Sequence, residues 1–284
     1  MGNVSKAMKR REAERASQSR AAGPDAAAKT GEGKSPSPGG TPAPAKGVPT
    51  PLRPAGAAVG KRNGYAPELC AYHDRGGRVA EEYRGLRTNL LARAPDQRFC
   101  FVVTSAVGSE GKTVTCLNLA LVMAERRDYR TIVIDCDFRR PTVAKLVHAD
   151  PQPGIAEVLR GEVALDDAIR PTTQPNLFIA PSGKVSREEL GELVTRAELS
   201  EMMETLRSNY DYVLVDTPPI NTVSETAMLG RVAGEALVVV RMNKTHQESV
   251  EKAVGLLRAA NVDIAGMVLT HQKYYIPNYL YYYS

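Results

Sequence analysis

Two hydrophobic patterns alternate along the chain after about residue 65. Runs of consecutive apolar residues predict buried strands at 99–104, 131–135, 177–180, 212–216, 236–241 and 264–270. Apolar residues at helical spacing predict helices at 79–94, 112–125, 187–209 and 247–260, with a helix-and-turn region ending near 169. Because continuous apolar strands alternate with helices, the pattern indicates an α/β fold, with a doubly wound, mostly parallel sheet and helices on both faces.

The first 64 residues show neither pattern. Residues 1–20 are rich in Lys, Arg, Glu and Ala, and residues 21–60 consist mainly of Ala, Gly, Pro, Ser and Thr. Such a composition buries too little apolar surface to offset the entropy of the chain, so we predict a disordered, basic segment. The predicted organisation is therefore a tail and linker at 1–64, a folded domain at 65–273 and a short tail at 274–284.

Charge and cysteine content narrow the class of protein. The formal net charge is +5, but residues 1–64 alone carry +8, so the predicted domain and the short tail together carry −3. A folded body of that charge is not expected to bind nucleic acid. The four cysteines are scattered without metal-ligand spacing, which favours buried thiols in a reducing, cytoplasmic compartment. Since no apolar run approaches the roughly 18 residues of a membrane span, we expect no span, and the N-terminus does not resemble a secretory signal.

A phosphate-binding motif follows the first predicted strand. Residues 105–113 read Ser-Ala-Val-Gly-Ser-Glu-Gly-Lys-Thr, which is a P-loop with Ala106 where glycine is usual. Backbone N–H groups of such a loop and the N-terminus of the next helix attract phosphate. Lys112 can reach the outer phosphates, and the hydroxyl of Thr113 can ligate Mg²⁺. The candidate nucleotide-binding residues are Ala106, Val107, Gly108, Ser109, Glu110, Gly111, Lys112, Thr113 and Val114. The alternative is a glycine-rich turn without function.

Three acidic residues end two of the buried strands. Asp135 is the last residue of the strand at 131–135 and Asp137 lies two residues further on, while Asp216 is the last residue of the strand at 212–216. Unpaired buried carboxylates are unfavourable, so a cation is expected beside them, and nucleotide-bound Mg²⁺ is the obvious one. Thr113, Asp135, Asp137 and Asp216 are therefore the candidate Mg²⁺ ligands, and one acid could accept a proton from an attacking hydroxyl. Asp137 could instead cap a helix or pair with Arg139 or Arg140.

Half of the twelve tyrosines lie in the last eleven residues. These are Tyr274, Tyr275, Tyr279, Tyr281, Tyr282 and Tyr283. A segment that ends the chain and contains Pro277 is expected to be flexible. Hydroxyls on such a tail beside a nucleotide site suggest phosphorylation, while the alternative is an aromatic patch that packs on the domain or on a partner.

Taken together, the chain from about 78 to 284 resembles the bacterial tyrosine kinases of exopolysaccharide and capsule assembly. Five features carry this resemblance in the order that the family shows. They are Glu-Glu-Tyr-Arg-Gly-Leu-Arg-Thr-Asn-Leu at 81–90, the P-loop at 106–113 (Walker A), Ile-Asp-Cys-Asp-Phe-Arg-Arg-Pro at 134–141 (Walker A′), Val-Asp-Thr-Pro-Pro at 215–219 (Walker B) and the tyrosine cluster.

The resemblance implies a non-specific protein tyrosine kinase that uses ATP and Mg²⁺ to phosphorylate its own tail in trans, and so controls polysaccharide polymerisation and export. It implies that Asp135 is the base, that Asp137 and Asp216 help to hold Mg²⁺, and that Lys112, Asp135 and Asp137 are catalytic. It also implies a ring-shaped homo-oligomer joined through Glu82, Arg84 and Arg87. A membrane adaptor of the co-polymerase kind and a tyrosine phosphatase are the implied partners, which would place the chain at the inner face of the membrane.

Three other classes of protein are alternatives to a kinase. Partitioning and septum-site ATPases place a lysine where this chain has Val107, and they do not account for the tail. A GTPase would need Asp in place of His246, in the segment Asn-Lys-Thr-His at 243–246, to read guanine. A non-catalytic module stabilised by nucleotide stays open, although three acids at one site argue against it.

Overall fold

The computed structural model describes residues 52–55, 64–93, 98–186 and 188–272. Its helices are α1 (Cys70–His73), α2 (Arg78–Arg93), α3 (Lys112–Met123), α4 (Val143–Val147), α5 (Ile155–Leu159), α6 (Leu165–Ala168), α7 (Leu190–Leu193), α8 (Ala197–Asn209), α9 (Glu225–Ala233) and α10 (Gln247–Ala259). Its strands are β1 (Phe99–Ser105), β2 (Thr131–Asp135), β3 (Arg170–Pro171), β4 (Leu177–Ala180), β5 (Tyr212–Asp216), β6 (Glu235–Arg241) and β7 (Asp263–Thr270).

The strands form one sheet in the order β3-β4-β2-β5-β1-β6-β7. All neighbours are parallel except β3, which pairs antiparallel with β4. Successive side chains of a strand point to opposite faces, so the continuous apolar runs bury both faces. In β1, Val102 packs in the core beneath α5, α8, α9 and α10, whereas Phe101 and Val103 pack beneath α1 to α4. The doubly wound α/β fold predicted from the sequence is confirmed.

Some predicted elements differ from the structure. The helix expected at 187–209 is two helices, α7 and α8, because Arg196 between them is extended (φ −67°, ψ 144°). Helix α9 was not predicted. It contains Gly230, where an added Cβ would lie 3.1 Å from a methyl carbon of Val262, so the glycine lets α9 approach the end of the sheet closely. A glycine within a short apolar pattern lowers the helical signal in the sequence.

The predicted linker includes a segment that packs on the domain. The N–H of Leu52 donates to the side-chain oxygen of Asn209 (2.9 Å), and the N–H of Ala55 donates to the carbonyl of Asp166 (3.2 Å). The side chain of Leu52 is half-buried against the core. The prediction of disorder is therefore wrong for 52–55, while 1–51 and 56–63 lie outside the described residues. None of the helices in the described ranges is both long and apolar enough to cross a bilayer.

Candidate functional site

The P-loop connects the end of β1 to the start of α3. Gly111 is the residue before α3 and has φ +90°, a conformation that residues with a Cβ adopt only with strain. A Cβ built on Gly108 would meet nothing within 4 Å, so the space in front of this part of the loop is open. The loop therefore presents the open, backbone-lined start of a helix that an anion-binding site requires.

Glu110 is buried within this loop although it is an acid. Its carboxylate accepts hydrogen bonds from the N–H of Val107 (2.8 Å), from the N–H of Arg241 (3.0 Å) and from the hydroxyl of Thr245. Thr270, the last residue of β7, donates to the backbone carbonyl of Glu110 (2.7 Å). The side chain predicted to touch nucleotide thus points away from the open space and links the P-loop to the end of β6, while the backbone carbonyl of Glu110 links the loop to the end of β7.

Lys112 begins α3 and points at the acids. Its Nζ lies 2.7 Å from Oδ2 of Asp137 and 3.4 Å from the hydroxyl of Thr113. Burial alone would lower the pKa of Lys112, but the carboxylates of Asp216, Asp137 and Asp135 together raise it above its ordinary value. The lysine is therefore a firmly charged cation at the mouth of the P-loop.

The sheet brings the first and third acids together. Asp135 at the end of β2 lies directly opposite Asp216 at the end of β5 in the parallel register. Oδ1 of Asp135 accepts the N–H of Asp137 (3.1 Å), and Oδ2 accepts those of Thr142 (3.1 Å) and Val143 (3.0 Å). Burial and the facing carboxylate of Asp216 raise the pKa of Asp135 well above its usual value, and the amides oppose part of that rise. Asp135 is thus a basic carboxylate held by the backbone.

Asp216 offers an unused oxygen. Its Oδ2 accepts the hydroxyl of Thr113 (2.7 Å), whereas its Oδ1 is buried without a hydrogen-bond partner. Burial raises the pKa of Asp216 to about 6, and the charge of Lys112 and the bond from Thr113 limit the rise. A buried, unpartnered carboxylate oxygen beside a hydroxyl suits a hard cation such as Mg²⁺. The residues present therefore fit the ion.

No three His, Cys, Asp or Glu side chains within the described ranges are grouped so that they could hold a metal by themselves. Of the four predicted ligands, Thr113 and Asp216 face each other, Asp135 is taken up by backbone amides and Asp137 is paired with Lys112. Mg²⁺ at this site would therefore rely on Thr113 and Asp216 and on phosphate oxygens, as P-loop sites do.

Asp137 also contacts Arg140, which was one of the alternative partners predicted for it. Besides pairing with Lys112, its Oδ1 accepts the N–H of Arg140 (3.1 Å), which closes a turn after β2. Pairing with Arg139, one of the alternatives for Asp137, does not occur, because the guanidinium of Arg139 forms an ion pair with Glu225 on α9. Asp137 therefore connects the turn to the P-loop lysine.

A cavity of about 790 Å³ opens over this group of charges. Its lining includes Gly108, Ser109, Lys112, Asp137, Phe138, Arg139, Arg140, Thr142, Val185, Leu190, Pro218, Pro219, Thr222 and Val223. The sequence did not predict the apolar wall of this cavity. Its residues lie in two loops (Val185 and Val223) and at the start of α7 (Leu190). No local motif marks these residues, since only the fold brings them to the carboxyl edge of the sheet.

The residues predicted to join a ring lie on α2. Arg84 and Arg87 both pair with Glu125, just after α3, with Arg84 Nη2 at 2.5 Å and Arg87 Nη1 at 2.9 Å. Glu82 is exposed and pairs with Arg78 at 3.1 Å. The two arginines thus engage their own chain. The six predicted acceptor tyrosines lie outside the described residues.

Known proteins resemble this chain in sequence. Residues 100–261 match the family model described as AAA domain. The tyrosine-protein kinase YwqD of Bacillus subtilis is 30% identical over 68% of this chain and 81% of its own length. The tyrosine-protein kinase CpsD of Streptococcus pneumoniae is 30% identical over 67% of this chain and 83% of its own length.

Solved structures show the same relationship. The kinase domain of the Escherichia coli tyrosine kinase ETK superposes with a TM-score of 0.67 at 28% identity, covering 74% of this chain and 83% of that domain. The septum site-determining protein MinD of Pyrococcus horikoshii, complexed with Mg-ADP, shares only the fold, with a TM-score of 0.53 at 24% identity over 64% of this chain and 75% of that one. The P-loop, the paired strand-end acids and these relatives together show that the chain belongs to the bacterial tyrosine kinase family.

Proposed function

We propose that the protein is an ATP-dependent tyrosine kinase whose first substrate is the C-terminal tyrosine cluster of a neighbouring copy. The observation that carries this proposal is a cavity that Lys112 and Asp137 line at one end and apolar side chains line on the other wall, with Asp216 buried behind the lysine. The charged end suits a triphosphate, and the apolar wall suits a phenol ring.

The chain's own groups account for nucleotide binding. The backbone of the P-loop faces the phosphates, and Lys112 exchanges its contact with Asp137 for the outer phosphate oxygens. Thr113 and Asp216 would hold Mg²⁺, which neutralises charge on the phosphates when it is bound. Phosphoryl transfer depends mainly on such positioning and neutralisation, so few further groups are required.

The transfer forms a bond between the phenolic oxygen and the γ-phosphorus and breaks the bond from that phosphorus to the β–γ bridging oxygen, so that ADP leaves. The phenolic proton passes to a carboxylate, and we assign it to Asp135. An ionised carboxylate has about four lone-pair sites. The three amides bonded to Asp135 leave one lone-pair site unused, and its raised pKa makes it a better base. Asp137 would position Lys112 and face the cavity.

A single experiment tests the assignment. The full-length chain is incubated with Mg-ATP, and the peptide that carries the six tail tyrosines is examined by mass spectrometry. We expect phosphate on this peptide, none in Lys112→Met, and most autophosphorylation lost when all six tyrosines become Phe. The six-fold Phe variant should still bind ATP. Phosphate on the tail of Lys112→Met would contradict the P-loop assignment.

The cellular role follows from the family. We propose that the kinase controls polymerisation and export of an exopolysaccharide or capsule, as a cytoplasmic ring at the inner face of the membrane. A co-polymerase-type membrane adaptor would activate it, and a tyrosine phosphatase would reverse its autophosphorylation. If neither Mg-ATP alone nor Mg-ATP with such an adaptor led to tail phosphorylation, the protein would have to be regarded as an ATP-dependent switch.

A further inference from the structure

Arg140 is a cation of the cavity wall that the proposed chemistry does not use. Its backbone is fixed, because its N–H donates to the carbonyl (3.0 Å) and to Oδ1 (3.1 Å) of Asp137. Its side chain is exposed and lines the cavity, and its guanidinium makes no hydrogen bond or ion pair with any described residue. A fixed backbone with an unneutralised guanidinium is an arrangement that recognises anions.

The other cations of the wall are already engaged. Lys112 pairs with Asp137 beside the P-loop, and Arg139 pairs with Glu225 on α9. Of these three, Arg140 alone keeps its charge available. It follows Phe138 by two residues, and Phe138 lines the cavity together with Val185 and Leu190. The available cation therefore lies on the wall that also offers apolar contact to a phenol ring.

We propose that Arg140 reads a phosphotyrosine next to the acceptor, so that a tail already carrying one phosphate is a better substrate than an unmodified tail. This inference rests on the proposed kinase function. A phosphotyrosine carries a charge of about −1.5 to −2 at neutral pH and pairs preferentially with arginine. The ligand is thus a tyrosine peptide with phosphate near the acceptor.

The spacing of the tail tyrosines suits such recognition. Tyr279, Tyr281 and Tyr283 alternate along the sequence. In an extended peptide, side chains two residues apart point the same way and are separated by about 7 Å. With one of them in the cavity, the next would point the same way and turn its phosphate towards the cavity. A phosphate on the adjacent residue, such as Tyr282, would point the opposite way.

The experiment uses three synthetic peptides of residues 275–284 with Tyr281 as the one acceptor and Phe at the other tyrosine positions. The first peptide has no phosphate, the second has phosphotyrosine at 283, and the third has phosphotyrosine at 282. The enzyme is the full-length chain with its six tail tyrosines replaced by Phe, so that its own tail does not compete. The quantity measured is kcat/KM for phosphorylation of Tyr281.

We expect kcat/KM for the second peptide to be about tenfold higher than for the first. The reason is that the pair of Arg140 with phosphotyrosine is partly exposed, so its strength should lie at the low end of the range for charge-assisted hydrogen bonds. The third peptide should show little of this gain. In Arg140→Gln the ratio of the second to the first should fall to about one, and Arg140→Lys should recover part of it. Arg258→Gln is the matched control, because Arg258 is exposed in the last turn of α10, at the opposite end of the sheet.

Equal rates for the first two peptides would overturn the proposal. An equal loss on both peptides in Arg140→Gln would also overturn it, because Arg140 would then serve the transferred phosphate. A binding measurement separates this proposal from the kinase assignment. The fluorescein-labelled peptides are added to the enzyme with Mg-ADP, and their binding is measured by fluorescence anisotropy. If no peptide were phosphorylated but the second peptide still bound more tightly through Arg140, the kinase assignment would fail and the phosphotyrosine site would stand.

Discussion

Arg84 and Glu125 are joined by a two-fold ion pair, with Arg84 Nε 2.9 Å from one carboxylate oxygen and Nη2 2.5 Å from the other. Arg87 shares the same carboxylate at 2.9 Å and also donates to the carbonyl of Val122 at the end of α3. The two arginines of the proposed ring motif therefore hold α2 against α3 within one chain. Changing them alters stability as well as any contact between chains.

The first prediction concerns the stability of this contact. Hydrogen bonds from Arg84 lower the pKa of Glu125, burial opposes this, and Arg87 adds to it. Because the side chain of Glu125 is 28% exposed and lies at the surface, Glu125→Gln should reduce the free energy of unfolding by only about 1 kcal/mol at neutral pH. A lowered pKa means that this stabilisation is complete above about pH 4.3 and is lost as the pH falls through the lowered pKa.

Denaturant unfolding of both proteins between pH 3 and pH 7 checks this prediction. The difference between them should shrink as the pH falls below about 4.3, and a difference that did not shrink would show that packing rather than charge is responsible. Glu82→Gln serves as the control, since the side chains of Arg78 and Glu82 are 50% and 56% exposed and their pair should contribute little.

The second prediction tests the ring. Because Glu82 is exposed on α2 while both arginines are engaged in the chain, Glu82→Arg should disturb a contact between copies without unfolding α2. We expect the melting temperature to change by no more than a few degrees and the particle mass from light scattering to shift towards monomer. An assembly of unchanged mass in this variant would remove Glu82 from the interface.

The third prediction follows from the unpartnered oxygen of Asp216. A raised pKa means that the ionised group destabilises the fold, an effect that is absent below about pH 3.9 and complete above about pH 6. Asp216→Asn should therefore raise the stability of the protein without nucleotide or Mg²⁺ by about 1–3 kcal/mol at pH 7.5. Below pH 4 the two proteins should melt alike.

The same variant should lose the response to metal. Addition of Mg-ADP should raise the melting temperature of the wild-type chain, because a ligand that binds the folded state stabilises it. In Asp216→Asn, ADP with Mg²⁺ should stabilise no more than ADP with EDTA. If Mg²⁺ still increased the effect of ADP in this variant, the ion would have to be held elsewhere.

The fourth prediction concerns Glu110. Glu110→Ala removes the acceptor that holds the N–H groups of Val107 and Arg241, so the P-loop should lose its fixed shape. We expect ADP affinity, measured by calorimetry, to fall about tenfold, which corresponds to about 1.4 kcal/mol. Glu110→Gln keeps one acceptor oxygen, so its ADP affinity should fall less. Thr245→Val removes a single donor and should change ADP affinity least. Wild-type affinity in Glu110→Ala would show that the loop holds its shape without this carboxylate.

The sequence by itself determined the buried strands and the phosphate-binding motif, because both are marked by local patterns. Continuous apolar runs such as 212–216 can be buried only within a covered sheet, and a Gly-x-x-Gly-Lys-Thr segment after a strand has few other conformations. The resemblance to a kinase family could be stated on the same basis. The positions of Lys112, Thr113 and the strand-end acids therefore needed no knowledge of distant contacts.

Only the tertiary structure decided which partners these residues have. The register of β2 against β5 sets Asp135 opposite Asp216, and the turn after β2 directs Asp137 to Lys112. The inward turn of Glu110 and the cavity wall from Val185 to Val223 likewise depend on segments far apart in the chain. Side chains that meet only across a sheet or between loops leave no spacing in the sequence, so their pairing follows from the packing of the whole domain.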